Sequence, residues 1–229
     1  GRAVVPCDGP EAIRWADVSA RPFDRFARLD PLCRVGMCAL EMLDIPPCEE
    51  SQLRAWAIVL GTDTGSLAVD VAFLNTAGDP YAPSPSLFSY TLASALLGEA
   101  SIRHRITGPN ICLAAGPDSA LAALWEAASL VEDGSADACI VLAAEAPAPP
   151  LVEGPSAFAH AFFLERAARE TTLDKLPVAF AHFEETSATP CDISVLVSAL
   201  KGRLSLPLHL RRPSTACAAQ SLVIRFPEG

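Results

Sequence analysis

Residues 106–127 read Ile-Thr-Gly-Pro-Asn-Ile-Cys-Leu-Ala-Ala-Gly-Pro-Asp-Ser-Ala-Leu-Ala-Ala-Leu-Trp-Glu-Ala, and this stretch decides the fold. An apolar run over 111–115 precedes a Gly-Pro pair, and a segment rich in alanine follows it. This order predicts a strand, a tight turn and a helix over 119–132, capped by Asp118 or Ser119. Such a unit often presents a reactive side chain at the end of a sheet, but here the turn holds only glycine and proline.

The rest of the chain alternates between strand-like apolar runs and helix-like segments. The predicted strands are 3–5, 55–60, 100–105, 111–115, 138–144, 157–164, 178–183 and 221–226. The predicted helices are 31–44, 67–76, 87–98 (ending at Gly98 as its C-terminal cap), 119–132 and 192–200. This alternation indicates an α/β fold with a layered, mainly parallel mixed sheet and helices on both faces. We expect residues 1–229 to form a single domain, with 170–229 as a C-terminal extension of it.

Composition excludes several classes of function. The 229 residues are 51% hydrophobic, which is enough apolar material for one large core. The net charge of −10 argues against a nucleic-acid binder, because such proteins need clustered lysine and arginine. No apolar run reaches the ~18 residues of a membrane span, and the first residues lack the apolar core of a signal peptide. We therefore expect a cytoplasmic protein.

The polar and sulfur-containing residues indicate no metal and no cofactor. The eight cysteines form no CxxC pair and no zinc pattern with the four histidines. Cys112 and Cys139 lie in apolar runs, so we expect reduced core cysteines. Residues 61–65, Gly-Thr-Asp-Thr-Gly, lack the lysine and the spacing of a phosphate loop and predict a tight turn instead. Glu145 ends a predicted strand, where it is either an acid or base or, as we expect, a carboxylate that pairs locally.

Four motifs in order resemble one known family. They are Ala57-Ile-Val-Leu-Gly-Thr-Asp-Thr-Gly65, Ser84-Pro-Ser-Leu-Phe-Ser-Tyr-Thr-Leu-Ala-Ser-Ala-Leu-Leu-Gly98, Gly108-Pro109 with the strand and helix that follow, and Gly134-Ser-Ala-Asp-Ala-Cys-Ile-Val-Leu-Ala-Ala-Glu145. With these gaps, roughly residues 25–170 resemble the N-terminal half of the thiolase-fold β-ketoacyl synthases. The chain is most similar to their shortened members, the chain length factors.

The resemblance implies that the catalytic residue of the family is missing. In working synthases the strand after Gly-Pro ends in a cysteine at a helix N-terminus, where the helix dipole favours the thiolate. Counting from Gly108, that position falls on Pro117, or on Gly116 if the register shifts by one. Pro117 is also compatible with a first helical position. His182 and His209 lie in surroundings unlike those of the family's histidines, and we expect them at a strand and in a loop. The resemblance therefore implies a non-catalytic protein.

The resemblance also implies partners and contact residues. A chain length factor pairs with a full-length ketosynthase, so we expect a heterodimer with such a partner or a homodimer, with acyl carrier protein involved only indirectly. The strand at 106–115 would pair across the two-fold axis. The expected interface residues are Ile106, Asn110, Ile111, Cys112 and Leu113, and the expected wall of the acyl tunnel is Phe88, Tyr90 and Leu92.

Two other functions remain open at this point. One is an acyl-thioester enzyme of the same superfamily with a different nucleophile, for which Ser119 is the candidate, although a helix cap explains this serine as well. The other is a homodimeric module that binds acyl groups without a synthase partner. In both the strand–turn–helix unit would still organise the site.

Overall fold

The computed structural model describes residues 13–43, 55–77, 83–146 and 157–166, together with the backbone of 2–4, 180–185, 208–211 and 220–225. Its helices are α1 (Pro31–Glu41), α2 (Leu67–Ala77), α3 (Pro85–Phe88), α4 (Ala95–His104) and α5 (Ser119–Glu132). Its strands are β1 (Arg2–Val4), β2 (Trp56–Gly61), β3 (Asn110–Leu113), β4 (Ala138–Glu145), β5 (Phe158–Glu165), β6 (Phe180–Glu185), β7 (Leu208–Arg211) and β8 (Gln220–Arg225). Two 3-10 turns, Trp15–Asp17 and Phe26–Arg28, precede α1.

Strands β1 to β5 form one mixed sheet in the order β1-β5-β4-β2-β3. β2 runs parallel to β3 and to β4, whereas β5 runs antiparallel to β4 and to β1. This arrangement confirms the predicted α/β fold, with the parallel strands in the half of the sheet that ends at β3. Strands β6, β8 and β7 form an antiparallel sheet of their own. None of the helices in the described ranges is long and apolar enough to cross a bilayer.

The strand β2 presents alternate residues to two apolar layers. Ile58 and Leu60 face a first layer, built with α1 and α4, while Ala57 and Val59 face a second layer, built with α5. All four side chains are fully buried. Because full burial of a large aliphatic side chain contributes about 1.5–3 kcal/mol, this strand lies at the energetic centre of the core.

Helix α1 forms where the sequence predicts it. Asp30 is its N-cap and accepts hydrogen bonds from the backbone N–H groups of Leu32 (3.2 Å) and Cys33 (3.1 Å). Pro31 occupies the first helical position, where the missing N–H needs no partner. The helix ends before Met42, which is its C-cap and is 40% exposed. The side chain of Met42 therefore does not belong to the buried face of α1.

The predicted helix over 87–98 and the predicted strand over 100–105 are both wrong. The structure has the short helix α3, an irregular turn over 89–94, and then α4. Gly98 lies inside α4, and Arg105 ends the helix in the left-handed conformation at φ 56°. The apolar spacing explains the error, since Leu96, Leu97 and Ala100 share one buried face at helical intervals. A glycine is the usual helix-ending residue, but it is not the only one.

Several expectations concern the remaining strands. The predicted strands at 3–5, 178–183 and 221–226 correspond to β1, β6 and β8. His209, expected in a loop, lies instead in β7, where apolar and polar residues alternate with the period of a strand. The predicted helix at 192–200 lies outside the described residues.

The segment over 13–29 packs on a buried ion pair that joins α1 to α4. The Arg103 side chain donates to both carboxylate oxygens of Glu41, at 2.9 and 3.1 Å. The Arg103 guanidinium also lies 4.7 Å from the ring centroids of Trp15 and of Phe23. This combination of a two-point ion pair and two cation–π contacts fixes the segment on the helices.

His104 lies beside this ion pair without a hydrogen bond to its Nε2 atom from any described residue. Its Nε2 lies 3.8 Å from a carboxylate oxygen of Glu41. Burial lowers the pKa of His104 to about 4, and the nearby Glu41 carboxylate only partly opposes this effect. Burial also opposes ionisation of Glu41, but the hydrogen bonds from Arg103 and Ser19 outweigh it and lower its pKa. The folded protein thus holds a neutral histidine next to an ionised glutamate.

Gly61, the last residue of β2, allows α5 to approach the sheet. A Cβ atom on Gly61 would lie 2.2 Å from the carbonyl oxygen of Ser119 and 2.6 Å from its carbonyl carbon. Real Cβ atoms essentially never come so close to backbone atoms, so only glycine fits here. By contrast, a Cβ on Gly98 would meet no atom within 4 Å.

The two glycines give a matched pair of substitutions. We expect Gly61→Ala to lower the free energy of unfolding by about 3 kcal/mol, because a backbone group of α5 has to move. We expect Gly98→Ala to raise it by about 0.5–1 kcal/mol, because alanine is the better helix former. Urea-induced unfolding followed by circular dichroism measures both values. A Gly61→Ala variant as stable as the parent would contradict the close contact.

His104 predicts a pH dependence of stability. Its pKa is about 6.5 in an unfolded chain and about 4 in the fold, so the unfolded state takes up the proton first as the pH falls. Stability is therefore lost between about pH 6.5 and pH 4, by up to about 1.4 kcal/mol per pH unit. We expect His104→Asn to flatten this part of the profile, measured by urea unfolding at a series of pH values. Identical slopes in parent and variant would exclude His104 as the cause.

Candidate functional site

The turn between β3 and α5 carries the position predicted for a lost nucleophile. Gly116 has φ of 68°, which favours glycine over any residue with a side chain. The helix α5 begins at Ser119 with Asp118 as its N-cap. Pro117 therefore precedes the cap instead of occupying the first helical position, and this expectation is wrong. Neither Gly116 nor Pro117 has a group that can attack a thioester.

Ser119 holds this turn together through its hydroxyl group. The hydroxyl donates to the carbonyl oxygen of Gly116 at 2.6 Å and accepts from the backbone N–H of Ala115 at 2.8 Å. The residue is 2% exposed. Because both hydrogen bonds are made within the turn, the hydroxyl stabilises the turn itself.

The loop after β2, residues 62–65, is held by Glu145 from the end of β4. The Glu145 carboxylate accepts from the Thr64 hydroxyl at 2.8 Å and the Thr64 N–H at 3.1 Å. It also accepts from the Asp63 N–H and, at 3.3 Å, from the Thr62 hydroxyl. Hydrogen bonds to an ionised carboxylate are stronger than those between neutral groups. This pairing bears out the expectation that Glu145 pairs locally, and it confirms a turn at 61–65.

Three parts of the fold meet at this loop. Gly61 lies against the backbone of Ser119, and the Asp63 carboxylate is 4.0 Å from where a Cβ on Gly116 would be. On the other side, a Cβ on Gly65 would lie 3.3 Å from the Cβ of Ala93. The loop thus separates the β3–α5 turn from the segment that precedes α4. Glu145 fixes the loop and thereby fixes the spacing of the other two.

The electrostatics at the turn do not favour an added anion. The N-terminus of α5 carries the positive end of the helix dipole, which in a catalytic relative would stabilise a thiolate. Here the exposed carboxylates of Asp63 and Asp118 lie at this helix terminus, where their negative charges oppose a further anion. No group of three or more His, Cys, Asp or Glu side chains in the described ranges is arranged to hold a metal ion.

The three predicted tunnel residues do not share one environment. Phe88 is 63% exposed and Leu92 is 69% exposed. The ring of Phe88 packs against that of Phe73 on α2, with centroids 5.5 Å apart. Tyr90 is half-buried against the first apolar layer, and its hydroxyl donates to Glu99 at 3.1 Å. Of the three, Phe88 and Leu92 are exposed enough to contact another molecule. Whether these residues line a tunnel stays a prediction.

The predicted interface residues separate into two groups. Ile106 is 4% exposed and belongs to the first apolar layer. The core of this chain thus already takes up the Ile106 side chain, and its assignment to an interface stays a prediction. Ile111 and Leu113 pack partly against the second layer and Cys112 against the first, while Asn110 is exposed and donates to Ser101 at 3.0 Å.

Within the part of the chain that the structure describes, β3 is the edge strand next to β2, so that one side of its backbone is unpaired there. Pro109 and Leu113 direct their carbonyl oxygens to β2, accepting from Ile58 and Thr62. Since the peptide groups of a strand alternate in direction, those of Asn110 and Cys112 point away from the sheet.

The predicted burial of Cys139 is confirmed, whereas Cys112 is only half-buried, and neither forms a disulfide.

Two features of the site were not predicted from the sequence. One is the set of partners of Glu145, which lie about 80 positions earlier in the chain. The other is the buried carboxylate of Glu99, which accepts hydrogen bonds from Tyr90 and Arg25. A glutamate in a helix normally indicates a solvated face, so composition and spacing offered no signal for it.

Comparisons with known proteins place this geometry in a family. The model of the β-ketoacyl synthase N-terminal domain matches residues 34–187. The curated protein 3-oxoacyl-[acyl-carrier-protein] synthase 2 of Rhizobium meliloti (strain 1021) is 26% identical over 147 residues. That match covers 61% of this chain and 34% of the relative, so the chain matches about a third of the relative's length.

Solved structures share the fold. A ketosynthase in complex with its chain length factor from Xenorhabdus doucetiae matches with a TM-score of 0.61 and 19% identity, over 91% of this chain and 83% of that one. The ishigamide ketosynthase/chain length factor matches with a TM-score of 0.54 and 21% identity, over 69% and 50%. Together with the family match over well over half of the residues, these likenesses show that the chain belongs to the β-ketoacyl synthase family, of which it carries the N-terminal domain.

Proposed function

We propose that the chain is a non-catalytic, synthase-like subunit of the chain length factor type, acting in a fatty-acid or polyketide pathway. It pairs with a ketosynthase and limits the length of that partner's product. The observation that carries the proposal is the turn over 115–119. Its tip is formed by Gly116 and Pro117, and the nearby Ser119 hydroxyl is engaged in two hydrogen bonds of the turn itself.

Pairing takes place through the open edge of β3. An edge strand with free peptide groups readily pairs with a strand of another chain, and burial in an interface removes the risk of aggregation. The half-buried side chains of Ile111, Cys112 and Leu113 carry no charge that would oppose such pairing. Across a two-fold axis the new strand is antiparallel, which gives one continuous sheet over two subunits.

Product length is limited by exposed apolar side chains in α3, in the turn over 89–94 and on α2. Phe88, Leu92 and Leu74 are each more than 60% exposed, and the ring of Phe88 packs on that of Phe73, the neighbour of Leu74 in the chain. A contiguous exposed apolar patch marks a contact surface, whereas single exposed apolar residues do not. We assign Phe88 and Leu92 to the wall that meets the growing acyl chain. The carrier protein docks on the ketosynthase partner, because a net charge of −10 on this chain opposes an acidic carrier.

The pairing is tested by substituting one residue of the edge. In Cys112→Pro the lost N–H faces away from β2, so the sheet of this chain tolerates the change while pairing with a second chain loses a hydrogen bond and meets the proline ring. We expect the complex formed on co-expression with ketosynthases of the same genome to weaken by roughly 100-fold, about 3 kcal/mol. Cys112→Ala, which keeps the N–H, is the control.

Light scattering coupled to size-exclusion chromatography, with mass analysis of each peak, measures this outcome. A complex of this chain with itself alone would replace the ketosynthase partner by a second copy. A Cys112→Pro variant that keeps its circular dichroism spectrum and its complex would exclude β3 as the pairing edge.

The length-limiting role is tested at Phe88. In the reconstituted complex we expect Phe88→Ala to raise the ratio of longer to native product by about 10-fold or more, because each methylene that a pocket newly accepts is worth about that factor. Ile102→Ala is the matched control, since Ile102 is 69% exposed but lies on α4 away from the turn over 89–94. Mass spectrometry of the products measures both. An unchanged distribution in Phe88→Ala would remove Phe88 from the wall.

A further inference from the structure

Tyr90, together with Ala93, packs the segment over 84–94 against the core. Phe88 and Leu92, two positions to either side, are mostly exposed, whereas the Tyr90 ring packs against the first apolar layer. Its hydroxyl donates to Oε1 of Glu99 at 3.1 Å. The position of Tyr90 therefore determines where its two exposed neighbours lie.

Glu99 is a buried carboxylate on α4 that receives two donors. The residue is 7% exposed, and its Oε1 atom accepts from Arg25 Nη2 at 2.5 Å as well as from Tyr90. A carboxylate so deeply buried is unfavourable unless it is paired and hydrogen-bonded. The Arg25 side chain is 54% exposed and comes from the segment over 13–29. The contact thus joins three separate parts of the chain at one oxygen atom.

The hydrogen bonds to Glu99 hold the segments together and also orient the Tyr90 hydroxyl. The acceptor is charged, so the Tyr90 hydroxyl is bound more tightly and in a narrower range of directions than by a neutral group. The second buried carboxylate, Glu41, accepts a hydrogen bond from Ser19 of the same N-terminal segment and another from Arg103 on α4, but none from Tyr90. Glu99 connects that segment by hydrogen bonds to the one that carries Phe88 and Leu92.

We propose that Glu99 is a positioning residue that, paired with Arg25, holds the Tyr90 hydroxyl and so sets where Phe88 and Leu92 meet the growing acyl chain. This inference rests on the proposed function. Glu99 itself does not touch the product. The specificity of the subunit for product length then depends on an ion pair that involves the N-terminal segment.

The first test reads the contact directly by ultraviolet titration of tyrosine. The chain has two tyrosines, so Tyr81→Phe leaves Tyr90 as the only one. Burial raises the pKa of Tyr90, the negative charge of Glu99 raises it further, and Arg25 opposes this. We expect Glu99→Gln to lower the pKa of Tyr90 and Arg25→Met to raise it. Shifts in the same direction, or none, at pH values where circular dichroism shows a folded chain would overturn the proposal.

The second test measures product length in the reconstituted complex below the melting temperature of every variant. We expect Glu99→Gln, Arg25→Met and Tyr90→Phe each to change the ratio of longer to native product by roughly 5-fold, as for the loss of one hydrogen bond. Glu41→Gln is the matched control, because it removes a buried charge bound to the same segment without touching Tyr90. We expect it to lower stability and to leave product length unchanged.

The outcomes separate the inference from the function on which it rests. If Phe88→Ala changes product length while Glu99→Gln, Arg25→Met and Tyr90→Phe do not, the subunit limits length without the help of Glu99 and the inference is wrong. If Glu41→Gln changes product length as much as Glu99→Gln, the effect is one of general stability and the inference is again wrong. If no variant changes product length, including Phe88→Ala, the proposed function fails and the inference fails with it. Because Arg25 is half exposed, its variant keeps the test open if Glu99→Gln does not fold.

Discussion

The contact between the first residue of α5 and the last residue of β2 is the constraint on which the site depends. Since Gly61 has no side chain, the backbone of Ser119 lies directly on the end of the central strand. Helix α5 then covers the second apolar layer along its length. The position of α5 fixes the turn over 115–119, and Glu145 fixes the loop that follows Gly61. The backbone of the turn is therefore held by α5 on one side and by the loop after β2 on the other. Its chemistry depends on which side chains it carries.

Such a backbone holds the N-terminus of α5 at the end of the sheet. A catalytic cysteine at the helix N-terminus needs the dipole, a free approach and a position at the end of the sheet. The dipole and the position are present here, and the tip of the turn holds a glycine at positive φ and a proline. Ser119, the nearest hydroxyl, stabilises the turn with both of its hydrogen bonds. These features suit a surface that acts by shape and contact.

The sequence predicted those elements whose signal is local. The strands β2 and β4 are continuous apolar runs between turn residues, and α5 is a long alanine-rich segment after a turn, so their bounds were predicted to within about two residues. The segment over 84–104 was predicted wrongly, because Gly98 favours a helix end while the buried face of Leu96, Leu97 and Ala100 favours a helix interior. Packing decided between these two local signals. Arg25 lies more than 70 positions from Glu99, and the partners of Glu145 lie more than 80 positions from it, beyond any pattern in the sequence.

The two buried glutamates favour a role in geometry over a role in stability. Replacing a buried ion pair by apolar residues of similar size is often neutral or even stabilising, because the desolvation of two charges offsets their attraction. Apolar residues in place of both Glu41 and Arg103 would therefore cost little stability, whereas removing only one partner of the pair is destabilising. An apolar residue cannot accept the hydrogen bonds that orient the side chains of Arg103 and Tyr90. Helix α4 carries Glu99 and Arg103 one turn apart, so a single helix orients both the N-terminal segment and the segment that bears Phe88 and Leu92.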